Sequence, residues 1–394
     1  MSVTTPRRID PAELVRPEVR ALAEYRLDLA PSRFKLDQNE VPWSLPKPVR
    51  EAALARLAAA DWSRYPDFHA DALRAAIAAL HGVETGAVLV GNGSNELLSA
   101  ALAALAGPGR EVLLPGPTFS LYGVFALSSG ATVRRLGPRA DLTLPLDELE
   151  AEVERDPRRP VLLCSPNNPT GEAVEPARVE RLLERLEAPL LLDNAYGEFC
   201  RFDYRPLLAR HRHLVLFRTF SKAWSLAGIR LGYLLADPAL VAELVKVKLP
   251  YNLGHAGIAC GVAALEARSA AERRVRQLVA RRPQWTALFR AAGAREVLDS
   301  EANFVLTRWE RDKYVLLKEG LPERGIRVRD VGGAPGLDNC LRVSIAGGDA
   351  LRATAAALAE LLSFPSMEVF RSSSRTVRTS PGASDPSRRN GVGP

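Results

Sequence analysis

The sequence predicts an α/β protein: a mostly parallel sheet wrapped by helices in a large domain, followed by a smaller α+β domain. Three observations carry this expectation. Between Ala87 and Ala236 short β-forming runs alternate with helical stretches, the pattern of strand–helix units in a parallel sheet. The runs VLLC, LLLD and LVLF are almost wholly apolar, as suits strands covered on both faces. A chain of 394 residues is too long for one small core and suits two domains.

In chain order, the proline-rich residues 1–50 are expected to pack on the smaller domain. The large domain is placed at 51–250. Its strands are expected at 87–90, 111–114, 161–165, 190–193, 214–219 and 229–235, with helices at 95–106, 120–129 and 176–187. The small domain, 251–365, opens on a long helical stretch at 255–292. That stretch is expected to kink or break near Pro283, which lacks the N–H of a helix interior. Strands at 302–307, 327–330 and 340–345 and a last helix at 349–362 follow. Residues 366–394, rich in Ser, Arg, Gly and Pro, cannot bury enough apolar surface to offset their ordering entropy and are expected to be a disordered tail.

Composition narrows the function classes. Hydrophobic residues make up 47% and charged residues 25%, ordinary values for a globular protein. No run of eighteen apolar residues exists, so no membrane contact is expected. The first twenty residues lack the apolar core of an export signal, which points to the cytoplasm. Cys164, Cys200, Cys260 and Cys340 are far apart and read as reduced thiols, and the five histidines are scattered, so no metal is expected. The net charge of +7 is partly local, since Arg371, Arg375, Arg378, Arg388 and Arg389 face only Glu368 and Asp385 in the tail. No basic stripe carries interleaved aromatics, so nucleic acid is not expected, whereas phosphorylated or carboxylate ligands suit such a body.

In doubly wound sheets ligands bind beyond the carboxyl ends of strands. Four polar motifs fall there: GNGSNE at 91–96, SPNNPTG at 165–171, Asp193 in LLLDNAYGEF, and TFSK at 219–222. Each alone has a plainer reading, as a turn, a cap or a surface charge. Together they suit pyridoxal 5′-phosphate. GNGSNE offers backbone N–H groups and Ser94 at a helix start for a phosphate, and Arg230 can add charge-assisted bonds. Asp193 can pair with a protonated ring nitrogen, and Lys222 can form the imine and move a proton.

The ordered set SPNNPTG, LLLDNAYGEF and RTFSKAWSLAGIRLGY resembles the aminotransferase superfamily of fold type I. The resemblance implies a seven-stranded type of sheet and gives Lys222 as the Schiff-base lysine. It puts Asp193 at the pyridine nitrogen, Asn168 and Tyr196 at the ring hydroxyl, and Phe119 on the ring face. Ser94, Asn95, Ser221 and Arg230 would hold the phosphate. Tyr65, in SRYPD, would reach the cofactor of a second copy, which makes a homodimer with shared sites.

Within the superfamily, residues 15–362 resemble the histidinol-phosphate aminotransferases, through VRALAEY, KLDQNEVPW, RYPD, PYN, ANFVL and RVRDVGGAPGLDNCLRVSIA. That implies substrate contacts at Tyr25, Asn39, Tyr251, Arg329 and Arg342. Arg342 would grip the acidic end of each substrate, and Arg329 with the two tyrosines would hold the substrate phosphate. The implied reaction is transamination between histidinol phosphate and 2-oxoglutarate, giving imidazole acetol phosphate and glutamate. Alternatives on the same scaffold are an aromatic aminotransferase and a threonine-phosphate decarboxylase. A pyridoxal-phosphate-binding regulator of transcription is not expected, since only 63 residues precede RYPD and both Lys222 and Asp193 are kept. Asn194, Asn95 and Val41 stand where the family commonly has glutamate, aspartate, and asparagine or tyrosine.

Overall fold

The computed structural model describes residues 10–24 and 31–363; Tyr25 and the segment 366–394 lie outside them. The strands are β1 (Phe34–Leu36), β2 (Val88–Gly91), β3 (Glu111–Pro115), β4 (Thr132–Leu136), β5 (Val161–Cys164), β6 (Leu190–Asp193), β7 (Leu214–Thr219), β8 (Gly232–Leu235), β9 (Glu296–Val297), β10 (Phe304–Arg308), β11 (Ile326–Asp330) and β12 (Cys340–Ser344). Seven form one sheet in the order β2-β8-β7-β6-β5-β3-β4, and five form another in the order β1-β11-β12-β10-β9.

The apolar runs are explained by packing on both faces. In β5, β6 and β7, Leu163, Leu192 and Leu216 join one buried cluster, and Leu162, Leu191 and Val215 join another. Successive side chains of a strand point to opposite faces, so a sheet covered twice needs an apolar residue at each step. The first cluster continues into the second sheet through Phe304, Val305 and Val343.

All strand pairs of the large sheet are parallel except those of β8, which runs antiparallel to both β2 and β7. This reversal positions the site. Gly232, the first residue of β8, pairs with Gly91 at the end of β2 and Thr219 at the end of β7. Arg230, just before β8, is therefore at the carboxyl edge of the parallel strands, beside GNGSNE and TFSK.

The second sheet is antiparallel except for β1, which pairs in parallel with β11 through Phe34 and Ile326. The N-terminal segment thus contributes a strand to it. Helix Lys47–Ala58 then packs on helix His255–Glu266.

The structure departs from the sequence reading in several places. β4, TVRRL, was not expected; it is a largely exposed edge strand whose polar residues hide the pattern. β8 starts at Gly232, not 229, because Ala227–Ile229 forms a 3-10 turn and Arg230 is left-handed, φ 56°. The 255–292 stretch breaks at Ala267, not at Pro283. Pro283 lies exposed inside helix Arg268–Ala291, where water can replace the lost backbone bond. No helix among the described residues is long and apolar enough to cross a membrane.

Candidate active site

The carboxyl ends of β2, β5, β6 and β7 open onto a cleft of about 320 Å³, closed from the other side by residues 37–39 and by β11 and β12. Ser94 and Asn95, on the first turn of helix Gly93–Leu105, line one end with Ser221 and Arg230. That turn presents N–H groups to any anion there. Arg230 Nη1 donates to Ser221 Oγ at 3.2 Å and to the Ala227 carbonyl at 3.0 Å. Two glycines make the approach possible. A Cβ on Gly232 would run into the Ser94 amide, and one on Gly93, where φ is +77°, would lie 2.7 Å from Arg230 Nη2.

Phe119, Asn168, Asp193 and Tyr196 line the same cleft. Asp193 is buried, its Oδ1 accepting the Ala195 N–H at 3.0 Å and its Oδ2 the Tyr122 hydroxyl at 2.6 Å. Burial pushes the Asp193 carboxyl up; the Tyr122 and Ala195 bonds and the charge of Lys222 oppose it. Tyr196 Oη accepts Asn39 Nδ2 at 3.0 Å, and burial holds its phenol well above the usual value.

Lys222 Nζ donates to the Gln38 carbonyl at 2.8 Å. Burial, then the charge of Arg342, lowers this amine to about 7; Glu40 pulls the other way, and Arg230 and Lys35 add smaller lowering effects. The unfolded chain keeps the Lys222 proton to about pH 10, whereas the folded chain releases it near 7. The unfolded state thus binds more protons across that window, so the cofactor-free protein should gain stability as pH rises through it. Urea denaturation at pH 7 and 10 should show a smaller gain in Lys222→Met; equal gains would mean the lysine titrates normally.

Arg329 and Arg342 face one another directly across β11 and β12. Arg342 Nη1 donates to Asn168 Oδ1 and Nη2 to the Asp37 carbonyl, both at 2.5 Å. Arg329 and Arg342 both line the cleft, where guanidiniums suit an anionic ligand.

A model of the aminotransferase class I and II family matches residues 31–359. The chain belongs to the class I and II aminotransferases. Two similar proteins are histidinol-phosphate aminotransferases. The one from Caldanaerobacter subterraneus is 32% identical over 89% of this chain and 99% of its own. The one from Chromobacterium violaceum is 36% identical over 86% and 94%. A crystal structure of histidinol-phosphate aminotransferase from Sinorhizobium meliloti in complex with pyridoxal-5′-phosphate matches this aminotransferase with a TM-score of 0.79. Its identity is 25%, covering 92% of this chain and 99% of that one. The family and this neighbour imply pyridoxal phosphate as the cofactor. The cleft's donor set fits such a group, with an amine, a buried carboxylate, an aromatic face, and an anion cradle that a Cβ on Gly93 would fill.

Gly93→Ala in this aminotransferase should therefore weaken cofactor binding. The new methyl would lie 2.7 Å from Arg230 Nη2 and push that donor out of the cradle, so a loss of about tenfold follows, as for one bond to a charged group. Titration of the cofactor-free protein with pyridoxal phosphate measures it, and an unchanged affinity would mean the cradle is not built as described.

Two expected substrate and cofactor residues do not line the cleft. Tyr65, 78% exposed, stacks at 4.4 Å on Tyr251, and the edge of Phe68 meets Tyr251 at 5.2 Å. The neighbouring Trp62 and Leu249 are exposed too. Of the departures from the family pattern, Asn194 faces away from the cleft. It donates to the Ser165 carbonyl at 2.6 Å and accepts from Arg218 at 2.7 Å. Val41 lines a separate cavity beside Trp43, and Asn95 is in the cleft. Sequence reasoning missed Tyr122 and the backbone carbonyls of Asp37 and Gln38. Only Tyr122 left a signal, three residues after Phe119 and so on the same side of a helix start.

Proposed function

We propose that this aminotransferase moves an amino group between histidinol phosphate and 2-oxoglutarate, giving imidazole acetol phosphate and glutamate, with pyridoxal phosphate held at Lys222. The pairing of Arg329 with Arg342 across β11 and β12, with both residues lining the cleft, carries this reading, because two arginines there suit a dianionic substrate end. Ser94, Asn95, Ser221 and Arg230 would hold the cofactor phosphate. Asn168 and Tyr196 would hold the ring hydroxyl, Phe119 the ring face and Asp193 the ring nitrogen. The bound cofactor supplies an electron sink for the substrate α-carbon. Lys222, lowered to about 7, is neutral often enough near neutrality for its Nζ to take the α-carbon proton and return it. Asn39 fixes the Tyr196 hydroxyl, and Asn303 fixes Asn39 by donating to its carbonyl at 2.9 Å.

The exposed aromatic surface around Tyr65 and Tyr251 is of a kind that soluble proteins cover. We assign it to a second copy of the chain, where Tyr65 would reach the neighbour's phosphate end and Tyr251 its substrate.

The two arginines give different expected outcomes. Arg342→Ala should slow both half-reactions, because glutamate must use the same end of the site. Arg329→Ala should slow mainly the phosphorylated substrate. A lost bond between charged groups makes each loss about 10- to 100-fold. Single-turnover amination and deamination with histidinol phosphate, histidinol, phenylalanine, threonine phosphate and glutamate reads this pattern. If histidinol reacts as fast as its phosphate, or phenylalanine outpaces both, an aromatic aminotransferase replaces this reading. Release of carbon dioxide from threonine phosphate would make the enzyme a decarboxylase.

A further inference from the structure

Asp193 is a buried carboxylate with no cation paired to it among the described residues. An ionised carboxylate taken out of water is costly unless its oxygens are bonded. Here one oxygen has a backbone N–H and the other a single side-chain donor, the hydroxyl of Tyr122. Tyr122 is 1% exposed on helix Leu121–Ser128, and its ring meets the Phe119 ring edge-on at 5.3 Å. The third polar neighbour, Cys164, pairs with Asp193 across β5 and β6 but gives its thiol proton to the Pro166 carbonyl at 3.3 Å. A phenol this buried does not ionise. Burial first, and then the charge of Asp193 and the proximity of Cys164, hold it far above its ordinary value, so it is a donor at every working pH.

We propose that Tyr122 is a positioning residue of the reaction: its hydroxyl fixes Asp193 Oδ2 and holds that carboxyl ionised, so that the proton shared with the cofactor's ring nitrogen stays on the nitrogen. The inference rests on the reading of Asp193 as the partner of that nitrogen. Its physical content is a competition for one proton. Burial makes the carboxyl more basic and draws the proton toward oxygen, leaving a neutral pyridine that accepts electrons poorly. A hydrogen bond donated to the carboxylate stabilises its charged form and returns the proton to nitrogen. The Ala195 amide does the same at the other oxygen, but no side-chain substitution removes it. Tyr122 is the removable half of the clamp.

The test uses the holoenzyme loaded with pyridoxal phosphate labelled with nitrogen-15 in the ring, whose resonance separates protonated from neutral pyridine. Tyr122→Phe removes one oxygen and keeps the buried ring. Its resonance should move toward that of neutral pyridine, and kcat should fall by about 10- to 100-fold, as for loss of one bond to a charged group. KM should change little, because no substrate contact is lost. Asp193→Ala should move the resonance at least as far, and adding Tyr122→Phe to that variant should change nothing more. An unmoved resonance in Tyr122→Phe alone, with Asp193→Ala shifted, overturns the inference and leaves the Asp193 reading standing. An unmoved resonance in Asp193→Ala overturns both. If Tyr122→Phe costs the same in the Asp193→Ala background as in the native one, or if its loss tracks reduced folding, Tyr122 is only packing and the inference fails.

Discussion

Lys222→Ala is expected to lose essentially all turnover and the visible absorbance of a covalently attached cofactor. The lysine follows β7, with its Nζ 2.8 Å from the Gln38 carbonyl, in the cleft that the anion cradle and Asp193 also line. At an ordinary value near 10.5 only about one amine in three thousand would be neutral at pH 7; lowered to about 7, roughly half would be. Alanine would remove the proposed attachment point and the proposed base together, so a loss of about 10⁴-fold or more follows. Borohydride treatment should fix the cofactor to the native protein at Lys222 and leave it removable by dialysis from the variant. Covalent retention at the same site in Lys222→Ala, or turnover within tenfold of native, would remove this lysine from the chemistry.

Asp193→Ala should show a different pattern, with cofactor retained and turnover low. The donors of the anion cradle are untouched, so binding persists, but the ring nitrogen would lose the ionic partner proposed for it. Such a partner in a dry site is worth several kcal/mol, so kcat should fall by about 10³-fold. Absorbance titration reports binding and single-turnover kinetics report the rate. Near-native turnover with bound cofactor would exclude Asp193 from the mechanism.

What the sequence disclosed follows from what the physics writes into side chains. β5, β6 and β7 were legible because burial on both faces forces apolar residues at successive positions. β4 was not, since its exposed edge tolerates Arg134 and Arg135. β1 was not, since three residues are too few for a pattern. The cluster of Ser94, Asn168, Asp193, Ser221, Lys222 and Arg230 at one edge was legible from motif order alone. The reversal of β8 that brings Arg230 there was hidden, because strand direction leaves no mark in composition. Gln38 and Asp37 meet Lys222 and Arg342 through backbone carbonyls, which every residue type carries. Tyr65 and Tyr251 were read as site residues, yet in a single chain they stack on an outer surface; a role at the site requires a second chain, as proposed above.

The reversed strand also bears on which changes of length the protein can absorb. Elsewhere, a parallel strand is followed by a helix and a return on the far side of the sheet, so extra residues can be looped out well away from the cleft. Between Lys222 and Arg230 there is no such detour, since the chain turns at the rim and re-enters the sheet at once through Gly232. Lys222 and Arg230 are two ends of one short ruler. A residue inserted there would shift one relative to the other, whereas insertion at the exposed turn near Arg158 would leave both where they are.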